Sequence, residues 1–311
     1  MEQLVLHGRR QAERHDALGF HGPEALRRWL LRAGGGRIVP SARTISRILR
    51  RLGVGPGPRR RWQPPPAGWY LPEVAAGRAE LEQCDFVEGL QLQGYGPVEV
   101  LTGISLWGKF AAAWPGSDPW TIPTVCPTLQ AHWRRHGAPA YLQLDNDTRF
   151  AGSSRAVRRL GRFIRFCLAQ GVVPVFVPPR ETGFQAAIEN FNGLWQRKVW
   201  MRFRHRDWAA LRRRSDQFVR AHHAYHAKHG EGAPARNAMS LPADRVIFLR
   251  RTDARGRITL LGVSQLVASR WPHRLVRCEL HVPTGRLRCF ALRRREPTHQ
   301  PLLCSIRFKL R

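Results

Sequence analysis

The stretch Leu144-Asp145-Asn146-Asp147-Thr148-Arg149-Phe150 decides the reading of this chain. It closes the short apolar run Tyr141 to Leu144, which has the length and composition of a buried strand, with an acidic turn. An acid there is unexpected, because the chain carries 52 Lys+Arg against 22 Asp+Glu, a formal charge of +30. That balance favours a polyanionic partner, so a carboxylate at a strand end needs its own reason. Hard oxygens gathered around a divalent cation beside a phosphate supply one.

Two further acids stand in comparable settings. Asp85 lies in the apolar run Gln83-Cys84-Asp85-Phe86-Val87. Glu189 lies in Gly183-Phe184-Gln185-Ala186-Ala187-Ile188-Glu189-Asn190-Phe191-Asn192, inside a helical stretch expected from about Phe184 to Phe203. Asp85, Asp145 and Glu189 are the candidate catalytic residues and metal ligands. Between Asp85 and Arg206 the other acids are Glu88, Glu99, Asp118, Asp147 and Glu181, so three well-placed acids are a selective observation. Singly, each has a plain alternative as a strand-end cap, a turn former or a solvated helix residue. Asp147 stays open as a rival to Asp145, which is preferred because it directly ends the apolar run.

Working outward, the central region reads as an α/β pattern. Strands are expected around Cys84 to Val87, Val98 to Leu106 and Phe110 to Trp114, followed by a helix near Thr124 to Arg135, the strand Tyr141 to Leu144, a helix near Arg155 to Ala169, a strand Val172 to Val177 and a second long helix from Asp207 to about Ala227. This order fits a ribonuclease H-like sheet. Ahead of it, helical patterns at Gly22 to Ala33 and Ser41 to Leu52 flank Gly34-Gly35-Gly36 and Pro40, the spacing of a helix-turn-helix. Ser41 is the expected N-cap. Ile45, Ile48, Leu49 and Leu52 share one face and leave Arg43, Arg47, Arg50 and Arg51 on others, available to a major groove or simply solvated.

The segment from Val54 to Pro72 is Pro- and Gly-rich and reads as a linker; Arg59, Arg60 and Arg61 within it either track a phosphate backbone or make a basic tether. From about Leu241 the period shortens to β-like runs at Arg245 to Leu249, Ile258 to Leu261, Arg277 to Val282 and Leu287 to Leu292. Turn signals stand at Asp253-Ala254-Arg255-Gly256 and Pro283-Thr284-Gly285. With 16 Arg+Lys against 4 Asp+Glu between Leu241 and Arg311, this part is expected to be a small DNA-contacting β-barrel. The expected domains are 1–53, a linker 54–77, a core 78–232 and a barrel 233–311.

Only Lys109, Lys198, Lys228 and Lys309 are lysines, so the basic excess is almost all arginine, the better bidentate phosphate ligand; arginine-rich codon usage is the plain alternative. Cys84, Cys126, Cys167, Cys278, Cys289 and Cys304 are scattered without a CxxC pair and read as reduced thiols. The start lacks a secretory pattern and no run of about 18 apolar residues exists, so a cytoplasmic, non-membrane protein is expected.

On these motifs the chain resembles the DDE transposase and retroviral integrase superfamily, and within it the bacterial insertion-sequence transposases with an integrase core domain. The resemblance implies DNA transposition and integration by Mg²⁺-dependent strand cleavage and strand transfer, with Mn²⁺ as a possible substitute. Asp85 and Asp145 would bind two ions together and Glu189 would complete one ion's shell; water cuts first, and the exposed 3′-hydroxyl then attacks target DNA. The implied partners are double-stranded DNA, as element ends and target, and further copies of the chain in a homo-oligomer; no small-molecule substrate is implied. Gln185 and Asn192, one turn to either side of Glu189, match DNA-contacting and supporting positions, while Arg197 and Lys198 are phosphate candidates.

Three departures accompany the resemblance. Asp145 and Glu189 are 44 positions apart, a longer interval than the family's usual one, with the extra residues expected near Ala151 to Arg162. The family's Asp-Asn-Gly is here Asp-Asn-Asp. The chain also starts too late for the additional helix-turn-helix unit of many relatives. His222, His223, His226 and His229 recur along one helix and read as structural or DNA-facing rather than as a metal site. The competing functions are a catalytically inactive or domesticated transposase that only binds DNA, and a ribonuclease H-like nuclease without transfer activity.

Overall fold

The computed structural model describes the chain apart from residues 16–18, 34–37, 55–65, 108–109, 154–155, 227–233 and 237–240. The described residues form two compact units, Met1–Pro64 with Arg220–His222, and Pro65–Val219 with His223–Arg311.

The first unit contains three helices, α1 (Glu2–His15), α2 (Pro23–Ala33) and α3 (Ala42–Arg51). Sequence periodicity foresees α2 and α3 but not α1, whose apolar contribution to the core is small: Val5, Gly8 and Ala12 are its buried residues among those described. Val5 and Ala12 pack with Leu26, Leu30, Ile45, Ile48 and Leu49. A side chain at Gly8 would meet the Trp29 ring at 2.8 Å, so this glycine lets α1 approach α2 closely. Ser41 caps α3 as expected, accepting a hydrogen bond from the Thr44 amide at 3.2 Å. Arg43, Arg47, Arg50 and Arg51 are all exposed, but Arg51 is already ion-paired with Glu2 of α1. The glycine turn at residues 34–36 and Arg59, Arg60 and Arg61 lie outside the described residues.

In the second unit, strands β1 (Leu81–Leu92), β2 (Gly96–Ser105) and β3 (Ala111–Gly116) form an antiparallel meander. After α5 (Ile122–His136), β4 (Tyr141–Leu144) pairs parallel to β1. After α6 (Thr148–Ala151) and α7 (Arg162–Ala169), β5 (Val173–Phe176) pairs parallel to β4. The result is a large mixed α/β sheet compatible with a ribonuclease H-like core. Helix α8 (Ala186–Trp195) runs into one turn of π-helix, Gln196–Trp200, and α9 (Trp208–His226) follows. Two side chains of α9 cover the edge of β3: Ser215 donates to the Ala113 carbonyl at 2.9 Å, and His223 Nε2 lies 2.8 Å from both the amide and the carbonyl of Ala111. His223 is thus structural; His229 lies outside the described residues.

The C-terminal strands differ from expectation. Instead of closing a separate barrel, β6 (Arg245–Arg251) pairs parallel to β5, and β9 (Leu275–His281), β10 (Arg286–Ala291) and β11 (Leu302–Arg307) extend the same sheet, in the order β11-β10-β9-β6-β5-β4-β1-β2-β3. A two-stranded ribbon, β7 (Arg257–Leu260) with β8 (Val263–Leu266), stands apart from it. The physical reason lies in Val246-Ile247-Phe248-Leu249, which are buried on both faces of the sheet, as a central strand requires and the wall of a small barrel beside solvent does not. The expected linker also ends early. Trp69, Tyr70 and Leu71 are buried, and α4 (Pro72–Ala75) follows them at once.

Residue parity along the strands sorts two cores onto the two faces of the sheet. Cys84, Leu142, Leu144, Phe176 and Phe248 point to the face covered by Trp133 of α5 and Phe163 and Ile164 of α7. Leu81, Val175, Ile247 and Leu249 point to the other, where Trp69, Tyr70, Leu71, Val74 and Phe184 cover them. Two buried glutamates of β1, Glu80 at its entry and Glu82, are neutralised by Arg236 at 3.0 and 2.7 Å. Among the described residues no helix is long and apolar enough to cross a membrane.

Candidate active site

The last paired position between β1 and β4 is Gln83 with Gln143. Asp85 and Asp145 each lie two residues further on, so by the alternation of strands both point to the same face as the glutamines, on chains about 4.8 Å apart. That face lies under the start of α8. Gln83 Nε2 and Gln143 Nε2 both donate to the Phe184 carbonyl, at 3.0 and 2.7 Å, and the Ile188 amide donates to Gln83 Oε1 at 2.9 Å. Tyr70 donates its hydroxyl proton to Gln143 Oε1. These two buried glutamines fix α8 against the strands. Neither is among the residues expected from the sequence, although each stands two positions before an aspartate and so on the same face.

Helix α8 then delivers its polar face to the aspartates. Asn192 Nδ2 donates to Asp85 Oδ2 at 2.9 Å. Glu189 lies three residues earlier on the same side of the helix, exposed, and near enough for its charge to act on Asp85. Gln185 N-caps α8; its Nε2, like Asn192 Oδ1, is buried without a hydrogen-bond partner among the described residues. Arg197 is exposed and Lys198 half-buried in the π-helical turn beyond.

Burial pushes the Asp85 carboxyl up to about 6, and the negative charges of Asp145, Glu189 and Glu88 add to the effect, against the lowering by the Phe86 amide. Burial likewise raises Asp145, with Asp147 adding to it, while the Asp147 amide, donating to Asp145 Oδ1 at 3.0 Å, and Arg149 oppose it. In a chain this rich in arginine, neither aspartate has an ion-pair partner among the described residues; the nearby guanidinium, Arg149, is taken by Asp147, Glu99 and Glu88 at 2.7, 2.8 and 2.5 Å. The Arg149 guanidinium, bonded to both oxygens, lowers the Asp147 carboxyl from its ordinary value. The two competing acids therefore stand in opposite states: Asp147 neutralised by a cation of the chain, Asp145 not.

A second arginine reaches the turn from β6. Arg250 Nη2 donates to Asn146 Oδ1 at 3.1 Å and Nη1 to the Leu249 carbonyl at 2.8 Å, while Asn146 Nδ2 donates to the Val177 carbonyl at 2.7 Å. Nothing in the sequence pattern around Arg250 signals this role, because it depends on β6 joining the sheet beside β5.

The donor set suits a hard divalent cation: two desolvated carboxylates side by side without a neutralising partner, the condition that a bound cation relieves. Among the described residues no three His, Cys, Asp or Glu side chains are grouped closely enough to hold an ion, and Glu189 is exposed on α8. A cavity of about 350 Å³ opens between β3, α5 and α9, lined by Trp114, Trp120, Asp118, Arg212 and Asp216 but by none of the three acids.

No protein-family model matches the chain, and no curated protein does. Among solved structures it is similar to a chain of the simian T-cell lymphotropic virus intasome in complex with PP2A regulatory subunit B56 gamma, with 14% identity and a TM-score of 0.37 over 62% of this chain and 63% of that one. It is also similar to the catalytic core domain of BIV integrase, with 14% identity and a TM-score of 0.30 over 48% of this chain and 81% of that one. This chain thus spans 63% of the length of the first of these.

Proposed function

We propose that this protein is a DNA transposase, a polynucleotidyl transferase that cuts DNA strands and joins them to a target with the help of divalent cations. The observation that carries the reading is the placing of Asp85 and Asp145 at equal distance past the Gln83–Gln143 pair, desolvated and without an ion-pair partner among the described residues, in a chain of net charge +30. Asp85 and Asp145 would hold Mg²⁺ or Mn²⁺, and Glu189 would complete the shell by swinging inward from the exposed face of α8. Bound there, divalent ions would supply Lewis-acid activation of the attacking oxygen and charge stabilisation of the leaving one. The chain's own residues supply the frame. Gln83 and Gln143 hold α8, Asn192 orients Asp85, and Arg250 holds Asn146 beside Asp145.

The substrate in this reading is double-stranded DNA, both element ends and target, bound by a homo-oligomer. Arg43, Arg47 and Arg50 on the outside of α3, with Arg197 and Lys198 beyond α8, would meet phosphates. The test is strand cleavage and strand transfer with labelled element-end DNA in Mg²⁺ or Mn²⁺, comparing the native chain with Asp85→Asn, Asp145→Asn and Glu189→Gln. Cleavage that survives all three substitutions overturns the site.

A second reading, a DNA-binding protein without chemistry, is favoured by one observation: among the described residues no three acids are gathered closely enough to hold an ion, and Glu189 is exposed. DNA binding by the native chain with no cleavage in either cation would select it.

A further inference from the structure

We propose that Arg149 is a positioning residue that holds Asp147 away from Asp145, leaving Asp85 and Asp145 as the cation-binding pair; this rests on the divalent-cation reading of that pair. Asp147 is only two residues from Asp145, and its amide already contacts Asp145 Oδ1 at 3.0 Å. Left unpaired, its carboxylate would be a competing oxygen ligand. Arg149 prevents this by gripping both oxygens, Nε to Oδ1 at 2.9 Å and Nη2 to Oδ2 at 2.7 Å, the bidentate geometry in which guanidinium binds carboxylate most firmly. The Arg149 amide adds a third bond to Oδ1 at 2.7 Å, so Asp147 is also committed as the N-cap of α6.

The guanidinium is itself fixed from every side. Its Nη1 donates to Glu99 at 2.8 Å and its Nη2 to Glu88 at 2.5 Å, which ties the grip to β2 and β1. Its plane lies 3.7 Å over the centre of the Phe86 ring, and Phe86 stacks on Phe150 with ring centres 4.9 Å apart. Glu99 is held in turn by the Trp120 amide at 2.6 Å. One cation shared among three carboxylates, stacked on the residue that follows Asp85, is a costly arrangement for merely joining strands. It does separate two acids that would otherwise compete for one cation.

The test uses the full chain and Mn²⁺ as the probe, with affinity read by electron paramagnetic resonance alongside strand cleavage. Arg149→Gln frees Asp147 and is expected to change Mn²⁺ affinity by about 10–100-fold and to lower cleavage. Adding Asp147→Asn removes the competing charge and is expected to return both toward the native values. If the double variant stays as far from native as Arg149→Gln, Arg149 acts only on packing and the proposal fails. Asp147→Asn alone keeps the question open to test where Arg149→Gln does not fold: near-native Mn²⁺ affinity supports the proposal, and loss of Mn²⁺ binding makes Asp147 a ligand and overturns it. Asp85→Asn separates the two levels. If it leaves Mn²⁺ binding intact, the cation reading itself fails, whatever the Arg149 variants do.

Discussion

Gln83 and Gln143, on neighbouring strands, donate to one acceptor, the carbonyl of Phe184, at 3.0 and 2.7 Å. Each is buried and each precedes an aspartate by two positions, so the contact that seats the start of α8 also sets where the carboxylates emerge. Gln143→Leu keeps a similar volume while leaving the Tyr70 hydroxyl without its acceptor. The expected cost is about 1–3 kcal/mol in urea denaturation, with cleavage lowered beyond the loss of folded protein. Stability within about 0.5 kcal/mol of native would show that the shared carbonyl contributes nothing.

Asp85→Asn is expected to stabilise the cation-free protein while abolishing cleavage. Burial pushes the Asp85 carboxyl up to about 6 from its ordinary 3.8, so the folded state holds its proton more tightly than the unfolded state between those values. Its penalty on stability is therefore complete above about pH 6 and gone below about pH 4. The variant should be more stable by about 1–2 kcal/mol at pH 7.5, and the two curves should converge by pH 4. A constant difference across that range would locate the effect elsewhere.

Cation affinity is expected to follow the same group in the opposite sense. Because a carboxylate must lose its proton to bind a metal, Mn²⁺ affinity should fall as the pH drops through about 6, by up to about tenfold per unit for the one proton involved. Titration at pH 5, 6 and 7 measures this; a flat profile removes Asp85 from the binding set.

Arg250→Met removes the guanidinium that donates to Asn146 and to the Leu249 carbonyl. Faster hydrogen exchange is expected in the amides of 145–147, with the β1–β2 amides unchanged. Equal exchange in both proteins would mean that the turn holds without β6.

In the helical unit, Arg43→Ala, Arg47→Ala and Arg50→Ala should each reduce the dependence of DNA binding on salt by about one unit of log–log slope, measured by fluorescence anisotropy. Arg51→Ala should do less, because Arg51 is already paired with Glu2. Equal losses at all four positions would contradict that distinction.

The strands and helices around the acids are legible in the sequence because β1, β4 and β5 carry apolar runs that end in turn or acidic residues, and α8 carries polar groups at helical spacing. Where Asp85 and Asp145 emerge is set by local parity. What sequence periodicity does not show is long-range pairing. The run at 246–249 reads equally well as a strand of a small barrel or of a large sheet, and only its alignment with Val175 and Phe176 selects the sheet. Arg250 is invisible for the same reason. Helix α1 escapes because Val5 and Ala12, its buried apolar side chains among the described residues, leave little apolar rhythm to find. The state of Asp147 is undecidable from spacing, since it rests on Arg149 being held by Glu88 and Glu99 from two other strands.

Hydrogen bonding that runs from β3 to β11 without a break makes residues 245–307 part of the scaffold beneath Asp145. Ending the chain before Arg245 would strip β5 of its neighbour, open the side of the core that Ile247 and Leu249 cover to water and release Asn146 from Arg250. Trimming at the carboxy-terminal side is therefore the wrong route to a crystallisable piece; shortening from the amino-terminal side, up to the residues before Trp69, leaves every strand of the sheet its partner.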